Sequence, residues 1–438
     1  LSEISMFSTS LNTREKSFSL KFDKYLLKKN SFINSVSSEV ELIISNIREK
    51  GDSAIISYNN KFDNRNISHT SELLFTKDVI KKSAEKVGKE VLNAMQFAFN
   101  RIIEYHSESL SISKKNLQNS QIYSVSRPLD KVAIYVPGGK ASYPSSVLMA
   151  AGPAIATGVN DIYLTSPCPN NKINNLVLAA ASIAGIQKVY SLGGVQAIAA
   201  FGLGTDTFPK VQKIVGPGNQ YVNEAKRQLY GEVGIDMLAG PSEIVILADK
   251  YSNPLTVAID LMAQAEHDEL ASSILISLDK PFIDKVKKIL KKEISNLSRQ
   301  EIIEKSLSNQ GAVIKVRDAL EAIKIINLIA PEHLHLVNRD AKEIANSVSF
   351  AGMISIGEDS ANGLSDYVLG PSHILPTGGT SRFSSPLSSE DFMVKSTFIE
   401  LGNSQNKSFY NELIKNASIL AEAEGLSAHA LSLLKRRK

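Results

Sequence analysis

Val132-AIY-Val136, then the alanine-rich Ser146-VLMAAGPAIATG, then Asp161-IYLT-Ser166: this succession decides how the chain folds. The outer pieces are short runs of β-branched and aromatic residues, which suit strands. The middle piece is long enough for a helix and closes on a glycine. Strands this apolar need cover on both faces, and the helix between them supplies a crossover, so the unit implies a parallel sheet. The pattern continues outward through Gln187-KVYS-Leu192, the helical Gln196-AIAAFG and the short strand Lys213-Ile-Val215. That strand leads into Gly216-Pro217-Gly218-Asn219 and the helix Gln220-YVNEAKRQLYG. Residues 135–243 therefore read as one nucleotide-binding-like domain.

A second alternation follows. Ile244-VILA, Ser273-ILISL, Gly311-AVIKV and Met353-ISIG read as strands, with helices expected over 254–271, 281–297 and Ala319-LEAIKIINLIA. The chain before about Lys131 looks helical and amphipathic, as in Val40-ELIISNIREKG. From about Leu387 the pattern is helical and polar, too small for a core of its own. No complete Gly-x-Gly-x-x-Gly occurs, because Tyr221 stands where Gly216-Pro217-Gly218 would need its third glycine. Glycine still permits close backbone approach to a ligand, and a helix opening at Asn219 offers N–H groups to an anion. Tight βα turns would need the same glycines.

With 438 residues, two or more domains are expected. Against 45 acidic residues stand 49 basic ones, and the basic clusters Lys28-Lys29 and Lys435-Arg436-Arg437-Lys438 carry no interleaved aromatics. Nucleic acid is therefore not expected as a partner. The longest nearly apolar stretch, Val147 to Val159, is broken by Gly152, Pro153 and Gly158, so no membrane span is expected. The single cysteine, Cys168, allows no intrachain disulfide, and Leu1-SEISMFSTSL does not look like a secretory signal. A cytoplasmic location is expected.

Six polar positions carry the chemistry: Gln264, His267, Glu332, His333, Asp366 and His429. Gln264 and His267 stand at i,i+3, on one face of a helix. Imidazoles with an amide and a carboxylate suit a borderline metal such as zinc. A separate Glu332-His333 pair offers proton transfer near neutral pH. Spacing alone leaves other readings open. Gln264 and His267 also fit the polar face of an amphipathic helix, and Glu332-His333 after Pro331 also fits a capped helix start. Asp366 and His373 lie among Gly, Ser and Pro, where Asp serves as a turn former. His429 would ordinarily face solvent, and His69, His106 and His335 read as structural. Cys168, in Ser166-Pro-Cys-Pro-Asn with no neighbouring base, argues against a covalent thiol route.

Taken in order, the motifs resemble those of the histidinol dehydrogenase family. The matching stretches are Tyr135-VPGGKASYPSSVLM, Gly193-GVQAIAA, Ile214-VGPGNQYVNEAKR, Ile235-DMLAGPSEIVILAD and Asp260-LMAQAEHD. They continue with Ala330-PEHL, Asp366-YVLGPSHILPTGG, Ser389-EDFMVKS and Glu424-GLSAH, and only the first 30 or so residues carry little of the resemblance. It implies an α/β fold of two incomplete Rossmann-like domains with parallel sheets, plus small N- and C-terminal helical extensions. The implied boundaries are an extension over 1–24, a domain of 25–134 with 244–387, the NAD-binding domain 135–243, and a tail over 388–438.

The implied reaction is an NAD-dependent, zinc-dependent oxidation of L-histidinol to L-histidine by way of an enzyme-held aldehyde. Carried across by motif, Gln264, His267, Asp366 and His429 would bind one zinc per subunit. Ser242, Glu424 and His373 would lie around the substrate with those ligands and His333. Glu332 and His333 would do the proton chemistry, and Tyr135, Gln196 and Asn219 would contact NAD. The resemblance also implies a homodimer in which each tail completes its neighbour's site. Two departures touch fine substrate fit: the bulky Leu369, and the extra acid in Ser389-Glu390-Asp391-Phe392. The rival readings are a related dehydrogenase of another small primary alcohol, and a zinc hydrolase, which would leave 135–243 unexplained.

Overall fold

The computed structural model describes residues 6–30, 36–113, 122–138, 143–401 and 407–437. The chain forms two compact units, one of residues 1–110 and 128–392, the other of 111–127 and 393–438. The larger unit contains two six-stranded sheets, each doubly wound. In the first, the strands run in the order Thr9–Asn12, Ala312–Lys315, Ser272–Ser277, Glu243–Ala248, His333–Leu336 and Met353–Ile356. Every pairing in it is parallel. In the second the order is Leu74–Phe75, Lys188–Tyr190, Asp161–Thr165, Lys131–Tyr135, Lys213–Val215 and Gly234–Ile235. There the short Leu74–Phe75 edge strand is antiparallel and the rest are parallel.

The burial pattern explains both sheets. Along Lys131–Tyr135 and on to Val136, Val132, Ile134 and Val136 join one buried cluster while Ala133 and Tyr135 join another on the opposite face. Ile244, Ile246 and Ala248 likewise divide from Val245 and Leu247. Side chains alternate across a strand, so a strand apolar throughout requires helices on both faces.

Several features lie beyond the sequence reading. Helices Ser37–Lys50, Asp52–Phe62 and Lys89–Ser113 contribute Val40, Ile55, Phe99 and Ile102 to the cores of the second sheet. Residues 36–102 thus share buried cores with 131–235. The amino-terminal extension is also more than a helix. Thr9–Asn12 forms an edge strand of the first sheet, and Phe22 and Tyr25 of helix Phe18–Asn30 enter its core. Of the readings left open for Glu332-His333, the helix start is not the one found: His333 opens a buried strand, and His333–Leu336 pairs beside Glu243–Ala248. The helix expected over 254–271 ends at Ala265, where Asp268 closes a turn by accepting the Leu270 N–H at 3.0 Å.

The smaller unit holds a two-stranded sheet, Ile122–Pro128 with Met393–Ile399, and helices Lys407–Ala423 and Ser427–Leu434. Ile414, Ala421 and Ala430 are buried, while Phe409, Leu413, Leu420, Leu426, Leu431 and Leu434 are exposed. No helix among the described residues is long and apolar enough to cross a membrane.

Candidate active site

Two neighbouring cavities of the larger unit collect most of the residues singled out by sequence. The first, about 480 Å³, lies at the carboxyl ends of the second sheet's strands and is lined by Tyr135, Gln196 and Asn219 with glycine turns. The second, about 430 Å³, is lined by Ser242, Gln264, His267, Glu332, His333, Asp366 and His373. Pro137 lines both. The second cavity sits between the carboxyl ends of the second sheet (Pro137, Pro217, Gly218) and the amino ends of the first (Ser242, His333).

Backbone shapes the first cavity. Gly194 has φ +63° and donates its N–H to the Tyr135 hydroxyl at 3.2 Å. A Cβ on Gly193 would stand 2.4 Å from Pro167 Cγ, and one on Gly216 would stand 2.1 Å from the Tyr135 carbonyl oxygen. Gln196 is buried, and its amide oxygen has no hydrogen-bond partner. Asn219 corrects one expectation. Its Oδ1 accepts the N–H groups of Tyr221 (3.0 Å) and Val222 (3.1 Å), so it caps helix Gln220–Leu229 and uses donors that an anion would otherwise meet.

Charge shapes the second cavity. The Glu332 carboxylate accepts the Glu243 N–H at 2.7 Å through Oε2, while Oε1 lies 3.9 Å from His333 Nε2. Burial, followed by the negative Glu243 and Asp366, raises the Glu332 carboxyl well above the carboxylate range. Burial first, then the His373 and His267 imidazoles, hold His333 down to about 3, so it is neutral at pH 7. Its 3.9 Å approach to Asp366 Oδ1 is therefore a contact and not an ion pair. Burial raises Asp366 to about 7 and lowers His373 to about 4. His373 Nδ1 stands 2.8 Å from the Asp366 carbonyl oxygen, which only accepts, so Nδ1 carries the proton. The Ser146 hydroxyl then donates to Nε2 at 3.1 Å. His267 is lowered by burial.

Gln264, His267 and Asp366 offer an amide, an imidazole and a carboxylate, a donor set that suits zinc. His333 Nδ1 has no partner, and no donor among the described residues offsets the burial of Asp366. A cation beside Asp366 would offset that burial. Among the described residues no three His, Cys, Asp or Glu side chains form a metal-binding group on their own. Glu424 and His429 are exposed residues of the smaller unit. In the first cavity, the close backbone approach and the unpartnered Gln196 amide suit a nucleotide.

Sequence reasoning missed the supports. Glu243, 1% exposed, contacts Lys29, itself buried, and accepts the Gly378 N–H at 2.7 Å, while its own N–H holds Glu332. Its signal was an acid opening the otherwise apolar strand Glu243–Ala248. Ser146, which bonds His373, had none. His335 is structural as expected, with Nε2 2.9 Å from the Gly357 carbonyl and Nδ1 3.3 Å from Asp260 Oδ2. Cys168 is buried, and burial raises its thiol pKa, which disfavours the thiolate that a nucleophile requires.

A family model described as histidinol dehydrogenase matches residues 26–437. The chain is 45% identical to histidinol dehydrogenase of Clostridium acetobutylicum over 409 residues, covering 91% of this chain and 92% of that protein. It is 42% identical to the Pseudomonas fluorescens protein over 427 residues, covering 96% and 95%. The crystal structure of histidinol dehydrogenase from Elizabethkingia anophelis superposes with a TM-score of 0.90 at 30% identity, covering 98% of both chains.

Proposed function

Because the chain belongs to the histidinol dehydrogenase family, a family of oxidoreductases, we propose that it oxidises L-histidinol to L-histidine through L-histidinaldehyde, reducing two NAD with zinc in its site. These are the last steps of histidine biosynthesis. The observation that carries the reading is the meeting, at Pro137, of a cavity holding Tyr135, Gln196 and Asn219 with one holding Glu332 and His333.

NAD takes up the electrons of both oxidations, and zinc, when bound, orients the substrate imidazole and amine. The ligands would be Gln264, His267 and Asp366, with His429 from a partner's tail. Ser242, His373 and the partner tail's Glu424 would surround the substrate. His333 is neutral, so its imidazole can take the alcohol proton as the first oxidation proceeds. The aldehyde then adds water, and the Glu332–His333 pair removes the proton that this water loses. Glu332 is suited to relay it, being fixed at Oε2 by Glu243 and facing His333 with Oε1. Enclosure between the two sheets would retain the aldehyde until the second oxidation.

A homodimer with exchanged tails is part of the same proposal. The tail helices expose six large apolar side chains, among them Phe409, Leu420 and Leu431, a face suited to a second copy. A cytoplasmic setting accords with the single buried cysteine.

The test is to count NADH and product from L-histidinol, with and without added zinc, beside other small primary alcohols. Two NADH per L-histidinol with little free aldehyde is expected. One NADH with aldehyde accumulating in solution would sink the proposal, and equal rates on other alcohols would favour a related dehydrogenase. Turnover of an ester or amide without nucleotide would favour the hydrolase.

A further inference from the structure

Between the two cavities lies the turn Gly216-Pro217-Gly218-Asn219. Pro217 and Gly218 line the substrate cavity, and Asn219 lines the nucleotide cavity. Beneath it is an ion pair hidden from solvent, with the Lys226 side chain 0% and the Asp236 side chain 1% exposed. We propose that Lys226 and Asp236 are positioning residues that hold this turn in place, and with it the alignment of the nicotinamide against the alcohol carbon. This rests on the assignment of NAD and L-histidinol to the two cavities.

The hydrogen bonds carry the inference. Lys226 Nζ donates to Asp236 Oδ1 at 2.5 Å, to the Gly216 carbonyl at 2.9 Å and to the Met237 carbonyl at 3.2 Å, which occupies all three ammonium protons. Asp236 Oδ2 accepts the Gly216 N–H at 2.7 Å. One glycine is thus gripped on both sides, by the lysine at its carbonyl and by the aspartate at its N–H. Gly216 stands at φ +110° against the Tyr135 backbone, a place no other residue could take without displacing the strand. Asn223 extends the brace, donating to the Gly218 carbonyl at 3.1 Å and to the Ala239 carbonyl at 2.5 Å. Ala239 lines the substrate cavity, so both walls are tied to one point.

Stability alone is a poor reason for this arrangement. A buried ion pair costs desolvation that its attraction roughly repays, and a well-packed apolar pair of similar volume is often as stable. An apolar pair could not hold the N–H and carbonyl of a glycine in one orientation. Direction is what the charges supply, and an ångström of error in alignment can cost about 100-fold in rate.

The experiment pairs Lys226→Met with Asp236→Leu in one chain, and sets it beside Asp236→Asn, which keeps shape and loses charge. Melting temperature, KM for NAD, KM for L-histidinol, kcat and the isotope effect with substrate deuterated at the alcohol carbon are read for each. The double variant should melt within a few degrees of wild type while kcat/KM for NAD falls roughly 10- to 100-fold. The isotope effect should rise, because poorly aligned hydride transfer becomes slower than product release, and KM for L-histidinol should stay within about threefold. Wild-type kinetics in either variant would overturn the proposal. If the double variant fails to fold, Asp236→Asn decides: a loss of tenfold or more with a raised isotope effect supports the brace, and a smaller loss or an unchanged isotope effect refutes it. A wild-type enzyme that makes no NADH from L-histidinol would instead defeat the functional assignment.

Discussion

The cavity of Tyr135, Gln196 and Asn219 is made by backbone, whereas the cavity of Glu332 and His333 is made by charge. In the first, glycines bring main chain close, Asn219 caps a helix, Lys226 has all its protons placed, and the buried Gln196 amide oxygen is left without a partner. In the second, burial pushes carboxyls up and imidazoles down, and His333 Nδ1 is left unpartnered. The second gathers perturbed ionisable groups, which is how a reactive site is marked. Changes in the first should therefore act through shape, and changes in the second through proton and metal chemistry.

The largest effect is expected at His333. His333→Asn should lower kcat by about 10²–10⁴-fold, the usual cost of losing a general base, while zinc content and NAD affinity stay near wild type. Glu332→Gln should impair oxidation of supplied aldehyde more than the first oxidation. Loss of zinc together with activity in both variants would erase the contrast between base and ligand.

The next effect tests whether the charged cavity is completed from outside. His267→Asn and His429→Asn chains should each be inactive and short of zinc. Refolded together in equal amounts, they should recover roughly a quarter of wild-type activity, since half the dimers are mixed and one site in each collects neither lesion. Mixed dimers shown to be present yet inactive would mean that each tail serves its own chain.

Gly216→Ala probes the shaped cavity. The added Cβ meets main chain at 2.1 Å and forces a side chain onto a positive φ, so stability should fall by about 2–4 kcal/mol. KM for NAD should rise while zinc content holds. An unchanged KM for NAD would deny that backbone shape forms this site.

His106 is a buried histidine outside both cavities, and there burial serves no chemistry. Burial lowers it to about 4. The unfolded chain takes the proton first, near pH 6.5, so its contribution to stability is present above that pH. The contribution is lost as pH falls from about 6.5 to about 4, at up to about 1.4 kcal/mol per pH unit. His106→Leu should flatten the acid limb of a stability–pH curve, and an unchanged limb would mean that His106 does not contribute to it. The smallest effect is expected for Cys168→Ala, with turnover within a few-fold of wild type. A larger loss would reopen a thiol route.

Much of this was legible in sequence because its signals are local. The strands Val132–Val136 and Asp161–Ser166 emerge within a residue of their expected places, since runs apolar on both faces mean buried strands wherever they occur. The candidate residues were legible as motifs, and seven of them line one cavity. Glu332 and His333 were not legible as the entry to a strand, because Pro331 and an acid suit a helix start equally well and only the empty place beside Glu243–Ala248 chose between them. Lys226 and Asp236 were not legible as a pair, since charged residues ten apart say nothing of meeting beneath a turn.

By itself the sequence determined the residue types, the α/β alternation and the glycines without which the Gly193 and Gly216 turns would collide with their neighbours. Each depends on spacings of a few residues or on the volume of one side chain. Tertiary structure decided that the cavity of Glu332 and His333 joins the carboxyl ends of one sheet to the amino ends of the other, and that Thr9–Asn12 closes an edge of the first sheet. It also decided the protonation of the site. His333 is neutral and Glu332 is raised because distant segments exclude water around them, and desolvation is a property of the assembled neighbourhood, not of any stretch of chain.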